Sequence, residues 1–220
     1  MQGIKKRNTF LLIILFLLIS VKVYPQYLEP ADVNRFSENM SRFPNFFHVD
    51  IFHTNWDYYH VFRETVEAFG EAFEVFNYMS EHNAERYAYS YRDHIRDLLN
   101  YNVPEVINNK YQSMGLYNNG HQKMTVIIFG ALYIACQEAE DYLRLVLERG
   151  YDEEEGDLNR TDLEELGKAR EMGKIFLDIN NGLFSERDLY ILKNNMEFVE
   201  EILDIIPHLR GNGYDKRDGG

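Results

Sequence analysis

An all-α, single-domain bundle of five to six amphipathic helices around an apolar central helix (122–149) is the fold this sequence predicts. Three observations carry the prediction. Apolar residues recur at spacings of three and four over most of residues 56–206, the period of one helix face. Helix-start combinations such as Thr161-Asp-Leu-Glu164 and Ser185-Glu-Arg-Asp188 stand ahead of those runs. With 220 residues, 45% of them hydrophobic, the chain has the length of one domain and enough apolar surface to close a core.

The N-terminus reads as an address. Lys5, Lys6 and Arg7 precede the uncharged apolar run from Phe10 to Val21, and residues 1–26 together have the layout of an export signal. The run is shorter than the ~20 residues a membrane span needs. No A-x-A-like pair marks the cut, so cleavage is placed between Ser20 and Gln26. The alternative is an uncleaved anchor that meets the membrane only through residues 9–24. Either way the body is expected outside the cytoplasm, in the periplasm or secreted.

Residues 27–53 contain Pro30 and Pro44 and are expected to be an irregular, aromatic-rich arm lying on the domain, with a short strand near 47–52. The helical domain proper is expected over 54–210. Thr54-Asn55-Trp56-Asp57 reads as a helix start. Tyr59, Phe62, Val66, Phe69, Phe73 and Phe76 then form one stripe, and Ala84, Tyr87, Ala88, Tyr91, Ile95 and Leu98 a second. Ser80-Glu-His-Asn83 is polar on every face and predicts a break, although one helix over 56–100 is the alternative. Pro104 opens a short helix from Glu105 to about Met114. A Gly/Asn-rich loop leads to the central helix, whose first part, 124–136, is apolar all round and stops at Gly150. The acidic run 152–157 is a solvated loop. Two further helices follow, from Thr161 to about Leu177 and from Ser185 to Pro207, and the tail 211–220 is expected to be disordered.

Charge excludes some partners. Residues 1–26 hold four cations (Lys5, Lys6, Arg7, Lys22) and no acid, so the remainder has 19 basic and 36 acidic residues and a net charge of −17. Such a surface opposes nucleic acid and anionic lipid. The one cysteine, Cys136, rules out a disulfide framework and is expected to be buried in its apolar helix.

Candidate chemistry is sparse. His53, Asp57, His60 and Glu64, at spacings that place them on one helix face, form the candidate metal site; His and carboxylate donors suit Zn²⁺ or a di-metal centre. That stripe lies opposite the aromatic face, where a solvated surface is the competing reading. His94 and His121 are read as hydrogen-bonded structural histidines. Asp178-x-Asn180-x-Gly182 resembles the start of a Ca²⁺ loop but fails its later positions. Asn39-Met-Ser41 and Asn159-Arg-Thr161 match the glycosylation pattern, at a frequency chance explains. No motif for nucleophilic catalysis is present. Tyr and Arg interleave between 86 and 101. Tyr89, Arg92 and Arg96 form the candidate binding surface, Tyr89 because it falls off the apolar stripe. The expectation is therefore an exported, acidic binding protein for a protein partner or small ligand, with no cofactor and no evident catalysis. The alternatives are a metal-dependent hydrolase using the 53–64 stripe and a membrane-anchored structural envelope protein.

Overall fold

The computed structural model describes residues 25–76, 81–149 and 160–209. Every regular element in them is helical: α1 (Pro30–Ser37), α2 (Trp56–Phe76), α3 (Glu81–Leu99), α4 (Glu105–Ser113), α5 (Gly120–Arg149), α6 (Arg160–Phe176), α7 (Glu186–Lys193) and α8 (Met196–Leu209). The all-α bundle is thus what the chain forms, with more helices than the five to six expected. The expected signal, the acidic run and the tail fall outside the described residues, apart from Pro25 and Gln26 at the signal's end.

The central helix is where periodicity put it. From Met124 to Ile134 of α5 nearly every side chain is buried, and α3, α4, α6, α7 and α8 all pack against it. α2 and α3 pack side by side, which one continuous helix over 56–100 could not do. Asn55 starts α2 by leaving helical geometry and accepting the Tyr58 N–H on its side chain at 2.8 Å. The loop before α5 runs through Gly115 at φ 89° and two left-handed asparagines, Asn118 and Asn119, at 52° and 55°; asparagine tolerates that region better than most residues.

Two expectations are corrected. The segment 27–53 is neither irregular nor a strand. Pro30 and Pro44 stand in first turns, where a missing N–H costs nothing, so they start helices instead of breaking them. Residues 40–54 continue as linked 3₁₀, α and π turns. The π turn Phe46–Ile51 sets Phe46 and Ile51 one wide turn apart on the buried side, a period that a search for α-helical spacing misses. Leu28, Phe36, Phe43, Phe46, Phe47 and Ile51 join the same core as α2 and α5, so the segment is part of the core and does not lie upon it.

The final helix is two helices. Asn194 and Asn195 bond the carbonyls of Tyr190 and Ile191 through their side chains, at 2.8 and 2.7 Å, and divert the chain. The break resets the phase, so α8 buries Phe198, Val199, Ile202, Ile205, Ile206 and Leu209, with Leu203 only half-buried. Pro207 lies inside the last turn of α8 and does not end it.

Candidate functional site

The sequence-derived candidates are placed as follows. Tyr89 is 43% exposed on α3, and the Arg92 guanidinium stacks over its ring at 5.0 Å. Arg92 also reaches Asp93 at 3.1 Å. Arg96 meets Arg92 on the same Asp93 oxygen, at 2.9 Å, and also bonds Asp178 at 3.0 Å, tying α3 to the turn after α6. The Tyr89 ring is therefore open to a partner, while Arg92 and Arg96 both hold Asp93 and Arg96 holds Asp178 as well.

His53, Asp57, His60 and Glu64 divide across the Asn55 break. His53 sits in the helical turn before it, exposed, and the other three in α2, with Asp57 and Glu64 exposed. The His60 ring packs on Trp56 with 3.9 Å between centroids. Among the described residues no group of three or more His, Cys, Asp or Glu lies within reach of one metal ion. Asp178 is buried at a left-handed position, and its carboxylate accepts from Arg96 and from Asn181 at 2.7 Å, so its lone pairs serve the turn itself. Cys136 is half-buried, less than expected, and burial pushes its thiol up to about 11, which keeps it protonated and unreactive. His94 is exposed on α3.

Two sets of polar residues were not singled out by sequence. The first is a buried chain of three side chains. The Tyr58 hydroxyl lies 2.7 Å from the Tyr111 hydroxyl and 3.0 Å from His121 Nδ1, and none of the three residues has any exposed surface. Burial pushes the His121 imidazole down to about 4, so the ring is neutral. The Leu98 carbonyl beside the ring opposes that shift without hydrogen-bond alignment, and Nε2 has no aligned partner among the described residues. With the proton on Nε2, Nδ1 accepts from Tyr58 and Tyr58 in turn accepts from Tyr111; with it on Nδ1 both directions reverse. Burial also drives both phenols well above their ordinary range. No substrate can reach these atoms, so the chain joins α2, α4 and α5 rigidly and does no chemistry on a ligand.

The second set lines an open groove of about 560 Å³ between α5, α6 and α7. Tyr133 and Gln137 form its floor, with the Gln137 amide donating to the Tyr133 hydroxyl at 3.1 Å. Glu171 and Lys174 stand on one wall, and Glu186, Leu189, Tyr190 and Lys193 on the other. Burial pushes the Tyr133 phenol up to about 12, so it remains a neutral donor. Lys193 leans to Glu138 at 2.8 Å and Lys174 to Glu171, pairs exposed enough to exchange for a ligand's groups at little cost. Tyr190 is the most exposed large apolar side chain described, at 69%. Its signal in the sequence was the one that singled out Tyr89, a tyrosine off the apolar stripe of its helix.

No family model, no curated protein and no solved structure matches this chain. The functional reading therefore rests on the geometry alone. Among the described residues no helix is long and apolar enough to cross a membrane.

Proposed function

We propose that the protein is exported and acts as a binding module, taking a small ligand or an exposed stretch of a partner protein in the groove between α5, α6 and α7. The observation that carries this reading is the groove itself. It is an open groove of about 560 Å³ that combines an uncovered tyrosine with amines held only in exposed ion pairs. The export half rests on the basic Lys5-Lys6-Arg7 and the apolar run 10–21. The exposed Tyr89 ring on α3, with Arg92 stacked over it, is a second candidate recognition element and would serve the same role.

The test is binding of the folded protein to arrays of peptides and oligosaccharides, repeated with Tyr190→Ala, Lys193→Ala and Tyr89→Ala. Loss of a hit in the first two variants, at unchanged melting temperature, supports the groove. Loss only with Tyr89→Ala moves the site to α3. Hits indifferent to all three variants refute both placements.

A further inference from the structure

Four acidic side chains are buried among the described residues: Asp32, Glu140, Asp178 and Asp188. Three of them have cations. Asp32 meets Arg35 at 2.7 Å and Lys123 at 2.8 Å, Glu140 meets Arg144 at 2.8 Å and Arg170 at 3.0 Å, and Asp178 meets Arg96 at 3.0 Å. Asp188 has no exposed surface and no ion pair among the described residues. The flanking charges, Glu29 and Arg187, approach each other instead, at 3.8 Å. A fully buried aspartate without a counter-charge is rare, because hydrogen bonds alone must then offset its desolvation.

The Asp188 carboxylate faces the beginning of the described chain. Oδ1 accepts the Leu28 N–H at 2.8 Å, Oδ2 accepts the Ser185 hydroxyl at 2.8 Å, and the Tyr27 nitrogen sits astride both oxygens at 3.2 and 3.3 Å. Tyr27 is also where the chain leaves solvent. Pro25 and Gln26 are exposed, Tyr27 is half-buried and Leu28 is completely buried.

We propose that the mature protein begins at Tyr27, and that the α-ammonium freed by cleavage of the Gln26–Tyr27 bond is the missing cation of Asp188. The step is a hydrolysis carried out by a processing peptidase. Water adds across the amide, the departing segment 1–26 keeps the new Gln26 carboxylate, and the Tyr27 nitrogen becomes an ammonium. That group replaces one shared N–H by charge-assisted bonds to both carboxylate oxygens. The inference rests on the export reading of residues 1–26. It makes leader removal a folding step as well as a release step, since the lock on α7 closes fully only in the processed chain.

Two measurements test it separately from that reading. Intact-mass analysis of the protein collected outside the cytoplasm should give a chain starting at Tyr27. Protein confined to the cytoplasm overturns the export reading, whereas a full-length chain outside, or a processed chain starting elsewhere, overturns this inference alone. Independently, purified chains starting at Pro25, Gln26 and Tyr27 should differ, the last melting roughly 4 °C or more above the others. The advantage should vanish in Asp188→Asn. Should that variant fail to fold, the α-amine of the Tyr27 chain, followed by NMR, should titrate well above its ordinary value of about 8. Equal melting of the three chains, or an α-amine with an ordinary titration, overturns the proposal.

Discussion

Tyr58→Phe tests the buried hydroxyl chain most directly. The substitution keeps the ring, which packs within 6.1 Å of Phe62 and 5.8 Å of Tyr101 between centroids, and deletes one oxygen. With the His121 proton on Nε2, that oxygen accepts from Tyr111 and donates to Nδ1, and its loss orphans two buried polar groups at once. Each orphan costs about 1–3 kcal/mol, which puts the total at roughly 2–6 kcal/mol. Tyr111→Phe is the matched control. It removes the terminal donor and leaves Tyr58 bonded to His121, so about 1 kcal/mol is expected. At about 2–4 °C per kcal/mol for a chain of this size, the two variants should separate clearly in a thermal melt. Urea unfolding followed by circular dichroism at neutral pH would give the free energies, with an unchanged m-value showing that only stability moved. Equal losses in the two variants, or a larger one for Tyr111→Phe, would refute the order Tyr111 to Tyr58 to His121.

Acid should weaken the fold through His121. Its folded value, about 4, lies below the ordinary 6.5, so the unfolded chain takes up the proton first. The stabilisation is present above about pH 6.5 and is lost as the pH falls to about 4, a change of roughly 3 kcal/mol. The difference in stability between wild type and His121→Asn, measured over that window, isolates it from the titrating carboxylates and should shrink as the pH falls. Lys123→Met should cost about 3–5 kcal/mol by leaving Asp32 buried with Arg35 alone, and Asp32→Asn added to it should restore much of the loss in urea titrations. Gly120→Ala should destabilise by at least about 2 kcal/mol, because an added Cβ falls well inside contact distance of Tyr111 Cβ and disturbs the same hydroxyl chain. Chelator or added Zn²⁺ should leave the melting temperature unchanged, given that His53 and His60 stand on either side of the Asn55 break. A shift that disappears in His60→Ala would reverse that conclusion.

The helices α2 to α6 were legible because the packing of their described side chains largely obeys a single rule. Each helix buries one stripe, and a stripe of period 3.6 is visible in a sequence. Tyr59, Phe62, Val66 and Phe69 are buried as that rule demands, and the apolar start of α5 is the centre of the bundle. The rule stops where the backbone changes period. Phe43, Phe46, Phe47 and Ile51 are core residues on 3₁₀ and π turns, and no α-helical template aligns them. It stops again at Asn194-Asn195, where two side-chain amides bond the preceding carbonyls and α8 restarts with another face inward.

Polar groups were harder to read than helices for a different reason. Asp188 follows an expected helix start by three residues and from sequence looks like an ordinary first-turn acid, whereas Asp32 falls in a segment expected to be irregular. The reading of Asp188 holds locally, its N–H donating to the Ser185 hydroxyl, and Asp32 makes an unforeseen capping contact with the Glu29 N–H. What distinguishes the two acids is burial, and burial is set by partners remote in the chain, Lys123 for the one and Tyr27 with Leu28 for the other. His121 was marked only as a structural histidine because Tyr58 and Tyr111, which complete its hydrogen-bond chain, come from two other helices. The exposed candidates show the converse. Tyr89 and Tyr190 were readable as exposed residues, since lying off a stripe is a local property. Whether an exposed tyrosine edges a groove depends on which helix lies beside it, and α5 and α6 supply that for Tyr190. The Asp188 proposal has the same logic. A first-turn acid would be unremarkable in solvent, and it calls for a cation only because the fold seats residues 27 and 28 on top of it.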